Sequence, residues 1–471
     1  MAQINGADAR IIVRPETTFK TLPVVLIEDC EDVWDESSDP DITVTADATT
    51  FKQGTKSVKF GIAVGATAGD KVTELISSKN LSNCTKVGFW YKSSIVLSAG
   101  DLQLLLDDTP ACASPLETLD IPAVAAGEVN TWKYAKVALA APQSDTAIIS
   151  VGLKYTVDKG AMNFWLDDIR GLEGDAIIIP FNTAKFGMQE DLEESNAISS
   201  GRQPQKPTGG AISGAGSMTV ELNPYHAILI KHMLGGCATT DLTGGKYQHD
   251  MTIDDLGNGL AIEVQHTKEN KCTVYHCKGN TMKISQGATG KAMMDLGYEM
   301  AKEETETLSS SLDGNPTNYG HKPFSAKFGT FYEGGVEQAG MATTFAIDYA
   351  NGVEGEPTIG SEGEKDSLTE SRAKVNFNFE ILFKDSTILN KAKNLTESSL
   401  KIENQNGTGD GSSGNEYMSI ETKEVLYARP QQSIDGPRGL KLPFSGIAYF
   451  DDDAGGEAIT ITIKNTQSLI P

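Results

Sequence analysis

The sequence predicts a mainly β protein, with two related sheet-forming domains of the sandwich or barrel type and an antiparallel jelly-roll sandwich inserted into the first. Three observations support this prediction. Apolar residues alternate with polar ones in many short runs, which is the pattern of strands that bury one face. Glycine is frequent, with 47 residues among 471, as in proteins with many turns. The same succession of polar loop, strand and short helix occurs twice along the chain.

The first succession occupies residues 189–236. Residues 190–217 are polar and rich in Ser, Gly and Pro, which predicts a loop of roughly 25 residues, a length typical of functional or disordered loops. Residues 218–222 (MTVEL) alternate as in a half-buried strand. The dipeptide Asn223-Pro224 predicts the start of a helix, because Asn is a good N-cap and Pro suits the first helical position. Gly235-Gly236 predicts the end of that helix.

The second succession begins with another long, polar, Gly-rich segment at residues 349–372. Residues 375–381 (VNFNFEI) alternate as a strand, with their apolar side chains on one face. Asp385-Ser386 is a suitable cap for a short helix over residues 388–392. We interpret the two successions as an internal duplication.

An inserted domain is predicted between the strand at residues 9–13 and the apolar strand at residues 176–181. Several short strands with no helical pattern fill this segment, as in an antiparallel sandwich. Compact domains with adjacent termini tolerate insertion into a loop. The predicted domains are 1–22 with 175–310 (copy 1), 23–174 (inserted jelly roll), 311–320 (linker) and 321–471 (copy 2).

The remaining strands follow from alternation in both copies. They are expected in YQHDMTI, LAIEVQH, KCTVYHCKGNTMKIS, TTFAIDYANG, SLKIENQ and EYMSIETKEVLYARP. Residues 268–270 predict a turn. Residues 288–303 (ATGKAMMDLGYEMAKE) fit a strand better than a helix because of Gly287, Gly290 and Gly297. The last residues predict a hairpin whose strands are joined by a turn at Asp451–Gly456.

Charge and composition exclude several classes of protein. The formal net charge of −24 argues against a protein that binds nucleic acid by neutralising phosphates. It fits a soluble protein that repels nucleic acid, or one whose surface pairs with cations. The sequence has no apolar run of 18 residues, which argues against a membrane helix, and its first residues do not resemble a secretory signal.

The six cysteines are scattered and form no CxxC pair. Cys272 and Cys277 lie close in sequence, but a zinc site requires two further ligands at suitable spacing. Free, mostly buried thiols in a reducing cytoplasm are therefore expected.

The inserted segment resembles the jelly-roll carbohydrate-binding modules and their relatives in phage and bacterial proteins. The resemblance rests on residues 27–31 (IEDCE), 54–58 (GTKSV) and 165–169 (WLDDI). It implies a structural calcium ion held by acids of the first and last strands, for which Asp29, Glu31 and Asp168 are the candidates. It also raises the question of glycan stacking on Trp34, Trp90, Trp132 and Trp165, although tryptophans of a sandwich are more often part of the core.

The rest of the chain resembles the phage tail tube proteins. The features that carry this resemblance are residues 9–22, the segment MTVELNPYHAILIKHMLGG after a long polar loop, and the ending FSGIAYFDDDAGGEAITITIKN. The resemblance implies subunits that join their sheets into one inner β-barrel, form rings and stack into a tube. Single-copy members form sixfold rings, so a chain with two copies should form a pseudo-sixfold ring of three. The inserted sandwich would project outward.

The resemblance also implies that DNA slides through the tube, for which a wall rich in Asp and Glu would prevent adhesion of phosphates. The polar faces of the alternating strands are the candidates for this wall: Thr219, Glu221, Asn376, Asn378 and Glu380. The long loops are expected to reach the neighbouring ring or subunit. Their candidate inter-ring residues are Glu190, Arg202, Lys206, Glu362 and Lys365.

The expected partners are further copies of the chain, the tape measure, tail terminator and tail tip proteins, and DNA that passes without tight binding. The chain would be made in the host cytoplasm and reside in the virion, with no required cofactor. An enzyme is not expected, because the six histidines are scattered and no GxSxG, HExxH or P-loop motif occurs. The main alternative is a glycan-binding or adhesin-like virion or cell-surface protein that uses residues 23–174.

Overall fold

The computed structural model describes residues 9–194, 206–266, 271–306, 312–431, 440–450 and 456–471. The chain divides into two compact units. Unit 1 consists of residues 1–178, 261–274 and 304–318, and unit 2 consists of residues 179–260, 275–303 and 319–471. Arg202, the predicted turn at 268–270 and most of the predicted turn at 451–456 lie outside the described residues.

The fold is mainly β, as the sequence predicts. Its strands up to the end of the inserted segment are β1 (Ala9–Pro15), β2 (Val24–Glu28), β3 (Ser37–Ser38), β4 (Ile42–Asp47), β5 (Ser57–Ile62), β6 (Lys71–Lys79), β7 (Lys86–Ser93), β8 (Leu102–Asp107), β9 (Glu117–Asp120), β10 (Lys133–Ala138), β11 (Ile148–Tyr155) and β12 (Met162–Leu172).

The later elements alternate strands with two short helices. They are β13 (Ile177–Ile178), β14 (Thr183–Lys185), β15 (Met188–Glu193), β16 (Thr208–Glu221), α1 (Ala227–Leu234), β17 (Ala238–Asp241), β18 (Tyr247–Thr252), β19 (Leu260–His266), β20 (Lys271–Gly287), β21 (Met293–Glu306), β22 (Gly329–Glu333), β23 (Val336–Glu337), β24 (Ala342–Ala350), β25 (Lys374–Leu382), α2 (Thr387–Asn394), β26 (Ser398–Gln405), β27 (Tyr417–Tyr427), β28 (Lys441–Ala448) and β29 (Thr460–Asn465). Neither helix is long or apolar enough to cross a membrane.

The inserted segment in unit 1 forms an antiparallel jelly-roll sandwich. One sheet has the order β10-β7-β12-β5-β4 with β2 beside β12, and the other has the order β3-β6-β11-β8-β9. Side chains of both sheets share one core, which includes Phe60, Phe89, Leu104, Val151 and Phe164. All of these side chains are fully or almost fully buried, so the two sheets exclude water from the space between them.

Unit 1 also contains a smaller core around β1. Ile12, Ala261, Val274 and Leu312 are fully buried there, together with Ala176. Residues 312–318 follow the described end of β21, and the Thr317 carbonyl accepts a hydrogen bond from the Ile178 N–H at 3.0 Å. The described part of the predicted linker 311–320 therefore begins inside a core rather than in solvent.

A buried ion network fixes this segment. Arg14 Nη2 lies 3.3 Å from Asp313 Oδ2, and neither side chain is exposed to solvent. Lys136 of the sandwich adds a second cation at 3.2 Å from the same oxygen and donates to the Asn315 carbonyl at 2.8 Å. Burial lowers the pKa of Arg14, and the charge of Asp313 opposes that effect.

Unit 2 is built on a long antiparallel sheet. β15 pairs with β16, β16 with β21, and β21 with β20. β20 pairs with β24 over Thr281–Gly287, β24 with β25, and β25 with β28. A second run of paired strands, β17-β18-β29-β27-β26-β22, belongs to the same unit. The strands of both predicted copies thus join edge to edge.

The first helix begins later than the sequence predicts. α1 starts at Ala227, because Asn223 does not cap it and instead holds a turn. The Asn223 side-chain oxygen accepts a hydrogen bond from the Tyr225 N–H at 3.1 Å, and the Asn223 carbonyl accepts one from the His226 N–H at 2.9 Å. The second helix begins as predicted, since Asp385 Oδ1 accepts from the Thr387 N–H at 2.8 Å.

Two further local predictions are wrong. Much of the predicted loop at 190–217 is strand, because Gly, Ala and Ser residues of β16 pair with β15 and β21 without showing apolar alternation. The predicted C-terminal hairpin is not seen among the described residues, where β28 and β29 each pair with β27 instead. β29 pairs with Tyr417–Glu421, and β28 pairs with Val425–Tyr427.

Candidate functional site

The most extensive polar surface of the long sheet is the candidate functional site. We define the polar face as the solvent-facing side of β16, β21, β20, β24, β25 and β28. The pairs Thr219↔Asp295, Lys283↔Asp348 and Asp348↔Asn376 place side chains of neighbouring strands on this face. The step from β21 to β20 is close, since a side chain added at Gly297 would meet Thr281 Oγ1 at 2.3 Å.

The opposite side of the same strands is apolar. Strand β25 shows the alternation most clearly, with Val375, Phe377, Phe379 and Ile381 each 2% exposed. Their neighbours on other strands include aromatic rings, such as Phe444 at 5.3 Å from Phe379 between ring centroids. This one-sided burial anchors the sheet and leaves its other face free for a function.

The structure places all the predicted wall residues on the polar face. Asn376 and Asn378 are exposed, and Glu380 and Glu221 are partly buried. Asn378 donates to Asp348 at 3.2 Å, and Thr219 donates to Asp295 at 2.6 Å. The sequence pattern did not single out Asp295, Asp348 and Lys283, although each lies on the polar side of an alternating strand.

Lysines accompany the carboxylates of this face. Lys441 Nζ lies 2.7 Å from Glu380 Oε1, and Lys283 Nζ lies 3.5 Å from Asp348 Oδ1. Lys291 contacts Glu221, which also binds His321 at 2.7 Å. The pattern of charge is therefore mixed, with acids and lysines paired on the surface.

These pairs keep the carboxylates ionised. The hydrogen bonds from Lys441 and Thr343 lower the pKa of Glu380 below its ordinary value. For Glu221, burial raises the pKa, but the hydrogen bonds from Lys291 and His321 outweigh it and the pKa is lowered. Each carboxylate thus stays negative at neutral pH beside its cationic partner.

The two ends of the long sheet differ from its middle. In the middle, β20 and β24 pair over seven residues and join the two predicted copies. At one end, β15 pairs with β16 alone among the described strands. At the other end, β28 meets β27 only over Gly446–Ala448, and no described strand pairs with the outer edge of Lys441–Phe444. Open edges of this kind are ready to accept another strand.

The predicted inter-ring residues fall in different environments. Glu190 lies within β15 and is exposed, while Lys206 and Glu362 are exposed outside strands. Lys365 is only 9% exposed and its ammonium group contacts Glu299 of the same chain. The inter-ring role of these residues, and of Arg202 outside the described part, stays a prediction.

The candidate calcium ligands each have other partners. Asp168 Oδ1 lies 2.7 Å from Arg170 Nε, and Asp29 Oδ1 accepts from the Glu31 N–H at 3.2 Å. Glu31 accepts from the Thr55 N–H at 2.6 Å. Within the described ranges, no group of three or more His, Cys, Asp or Glu side chains is arranged to hold a metal ion. These residues do not form a ligand set in this arrangement, and calcium binding stays a prediction.

The tryptophans of the sandwich are largely engaged within unit 1. Trp34 is 1% exposed and belongs to the core, and Trp165 is 7% exposed. Trp90 contacts Tyr134 with ring centroids 5.0 Å apart, and Gly314 lies against the Tyr134 ring. Lys52 covers Trp90 at 4.6 Å. Glycan stacking on these rings, including the partly exposed Trp132, stays a prediction.

None of the six cysteines, all of which lie in described parts of the chain, forms a disulfide, and all except Cys237 are buried, as the sequence predicts. Burial raises the pKa of Cys84 to about 12, so its thiol is protonated and unreactive at neutral pH. His226 is buried and His232 is partly buried, and desolvation lowers the pKa of each to about 3. Both side chains are therefore neutral at neutral pH.

Comparison with known proteins gives one family and several distant structural likenesses. The family model described as "Phage tail tube protein" matches residues 123–448. No curated protein matches the chain. Among solved structures, the chain is similar to the family 30 carbohydrate-binding module of a cellulosomal cellulase of Clostridium thermocellum, at 14% identity over 31% of this chain and 95% of that one, with a TM-score of 0.22.

A second solved structure is the N-terminal CBM22-1–CBM22-2 tandem domain of Xyn10C from Paenibacillus barcinonensis. It shows 12% identity over 63% of this chain and 84% of that one, with a TM-score of 0.21. At such TM-scores these likenesses carry no argument about ligands. The family match extends over residues 123–448, which is more than half of the chain.

Proposed function

The chain belongs to the phage tail tube protein family, and we propose that three copies of it close into a pseudo-sixfold ring whose polar face lines the conduit for DNA. Membership of the family makes it a structural, self-assembling protein of the virion. The ring of three, the identity of the wall and the position of the sandwich belong to the proposal.

One observation carries the proposal: the pairing of β20 with β24. This pairing joins the strands β15-β16-β21-β20 of copy 1 to the strands β24-β25-β28 of copy 2 within one chain. A sheet that contains two equivalent sets of strands needs half as many chains to close as a sheet that contains one. Three chains would then supply the six sets of a sixfold ring.

The open edges at β15 and β28 support closure between chains. An exposed strand edge carries unpaired backbone N–H and C=O groups, and pairing it with another chain satisfies them. Because the two edges are different, the contact is head to tail, which generates a closed ring when the rotation per chain is right. Stacking of such rings forms the tube, with the tape measure, terminator and tip proteins as its partners.

The polar face suits a wall along which DNA slides. In the proposed ring, Glu380, Asp348 and Glu221 hold the neighbouring lysines in ion pairs, so these lysines are not free to bind phosphates. Together with the overall charge of −24, this arrangement disfavours tight binding of nucleic acid. The sandwich, whose bulk would obstruct a conduit, projects outward as a decoration.

Electron microscopy of the purified chain tests this proposal. Negative staining is expected to show rings or hollow tubes, and mass measurement of the smallest ring is expected to give three chains. Variant Glu190→Pro is expected to prevent assembly, because the Glu190 N–H points to the open edge of β15 and proline removes it. Glu356→Pro, in a segment without strands, is the control. A strict monomer of the unaltered chain at high concentration would refute the proposal.

A further inference from the structure

A contact within unit 2 shows how the loop of one copy attaches to the sheet of the other. The second loop, residues 351–373, connects β24 to β25. Its Gly363 carbonyl accepts a hydrogen bond from the Ile212 N–H of β16 at 2.8 Å. Two residues later, the Lys365 ammonium group contacts Glu299 of β21. Copy 2 thus places its loop on the β16–β21 pair of copy 1.

The duplication identifies the corresponding place on copy 2. The last pair of the β16–β21 ladder is Glu221↔Met293, and the corresponding pair of β25–β28 is Leu382↔Lys441. Counting along both strands from these pairs, Ile212 corresponds to Ala373 and Glu299 corresponds to Ile447. The place where the second loop sits on copy 1 therefore has its counterpart at Ala373 and Ile447.

A groove of about 710 Å³ lies at that counterpart. We call it the β25–β28 groove, and Ala373, Ile447 and Phe450 are among its lining residues. Ile447 is 59% exposed and Phe450 is 58% exposed, although both are large apolar side chains. Arg372 and Lys374 line it as well, and neither makes an ion pair with a described residue. The partly buried Glu457 is the one acid among its lining residues, so the groove is apolar with two cations and one acid at its border.

We propose that the β25–β28 groove binds the β15–β16 hairpin of a second copy of this chain, next to it in the same ring. The hairpin consists of the described strands β15 and β16. In the order of elements, the link between these two strands of copy 1 corresponds to the second loop between β24 and β25 of copy 2. This inference deepens the proposed function, because it names the surfaces that meet between chains.

The chemistry of the hairpin matches the groove. The end of β15 carries four exposed acids, Glu190, Asp191, Glu193 and Glu194, around one apolar side chain. That side chain is Leu192, which is 70% exposed. Its apolar surface suits Ile447 and Phe450, and the acids suit the two cations of the border.

The hairpin of the same chain cannot occupy this groove. β15 and β28 lie at opposite ends of the sheet, separated by the strands β16, β21, β20, β24 and β25. Within the chain, the second loop of copy 2 contacts the β16–β21 strands of copy 1, which lies beside it in the sheet. If neighbouring chains of the ring repeat this arrangement, the hairpin of one chain contacts the β25–β28 strands of the next chain.

Disulfide cross-linking tests which surfaces meet. Leu192→Cys and Phe450→Cys are prepared on separate chains of different mass, both with Cys237→Ser, and are mixed before assembly and oxidation. A linked species that contains one chain of each kind is expected. Leu469→Cys, which alters another exposed leucine, replaces Phe450→Cys in the control and should give no such species.

Charge exchange provides an independent test. Glu190→Lys/Glu193→Lys in the hairpin is expected to raise the concentration for half-assembly by roughly tenfold, as is Arg372→Glu/Lys374→Glu in the groove. Combining all four changes restores opposite charges across the contact and should recover most of the assembly.

The outcomes separate this inference from the proposed function. If the unaltered chain forms rings while the cross-link is absent and the charge reversals have no effect, the assignment of the groove is wrong and the ring remains. If each reversal weakens assembly but the combination does not recover it, the two surfaces do not meet. If the unaltered chain forms no ring, the proposed function itself is wrong. Asp108→Lys/Asp120→Lys on the sandwich is the matched control and should leave assembly unchanged.

Discussion

The sandwich in unit 1 and the long sheet in unit 2 are both antiparallel, yet they use their surfaces differently. In the sandwich, two sheets face each other and share one core. In the long sheet, one face is buried in an aromatic core and the other is polar and exposed. The sandwich thus buries its apolar surface within itself, whereas the long sheet has a polar face and, among the described strands, two open edges.

All four tryptophans of the chain lie in the sandwich, at positions 34, 90, 132 and 165. Tryptophan fluorescence therefore reports the unfolding of the sandwich, while far-ultraviolet circular dichroism reports the strands of both units. The two signals therefore distinguish changes in the sandwich from changes in the long sheet.

The largest effect is expected from Phe379→Ala in the long sheet. Phe379 is 2% exposed, and its ring lies 5.3 Å from both Phe331 and Phe444 between centroids. Removing a buried aromatic ring costs about 3–5 kcal/mol of the free energy of unfolding. We expect the dichroism transition to move to lower temperature while the fluorescence transition stays in place. Phe328→Ala, at an exposed position, should change neither, and a joint shift would contradict the comparison.

A similar or slightly smaller loss is expected from Asp313→Asn in unit 1. This change removes the charge that compensates buried Arg14, and breaking a buried ion pair costs about 3–5 kcal/mol. The fluorescence transition should move if residues 312–318 stabilise the sandwich through Lys136. Lys136→Met is the comparison, and its effect should be smaller because its side chain is 20% exposed. An unchanged midpoint for Asp313→Asn would show that the network contributes nothing to unit 1.

The two regions are also expected to respond differently to pH. In the sandwich, burial and the charge of Glu117 raise the pKa of Asp145 to about 6. A carboxyl group whose pKa is raised by folding stabilises the fold at pH values below about 4, which is its pKa in the unfolded chain. This contribution is lost as the pH rises through the folded-state pKa of about 6. In the long sheet the pKa of Glu380 is lowered, so its effect on stability is opposite. Its contribution is present at neutral pH and is lost as the pH falls below the ordinary pKa of a glutamate.

Thermal unfolding between pH 4 and pH 7 checks this difference. The fluorescence midpoint temperature should fall as pH rises. The corresponding loss in the free energy of unfolding is at most about 1.4 kcal/mol for each unit by which the pKa is raised. Asp145→Asn should reduce this slope but not abolish it, because burial also raises the pKa values of Glu28 and Asp167 in the sandwich to about 7. The same slope in the variant would contradict a contribution from Asp145.

Calcium should have the smallest effect. Because Asp168 is paired with Arg170 and Glu31 with Thr55, we expect added calcium or chelator to change the fluorescence midpoint little. A clear rise with calcium that Asp29→Asn abolishes would show that these acids rearrange around the ion, as the resemblance to carbohydrate-binding modules implies.

The sequence predicts those parts of the fold that depend on neighbouring residues. The alternation of apolar and polar residues predicted strand β25, and Asp385 predicted the start of α2. Both signals are local, because they depend on side-chain periodicity and on capping by a neighbouring residue. The polar sides of the strands likewise predicted that Glu221, Asn376, Asn378 and Glu380 share the polar face. These features need no knowledge of distant partners.

Other features depend on partners that are far away in sequence. The Gly- and Ser-rich part of β16 has no apolar alternation, and it becomes a strand only because β15 and β21 pair with it. The last two strands looked like a hairpin, since nothing nearby indicates that β27 takes them both. The contact of Lys365 with Glu299 joins residues 66 positions apart and has no local signal.

The pairing of β20 with β24 has a consequence for the evolution of the protein. Because both strands belong to one polypeptide, they pair at an effective concentration that dilution does not lower. Mutations that weaken this pairing are buffered by the covalent link, whereas mutations at the proposed pairing between chains would act directly on the yield of particles. The sequences at the two places can therefore diverge. The outer edges of β15 and β28 should tolerate fewer substitutions than the paired strands β20 and β24.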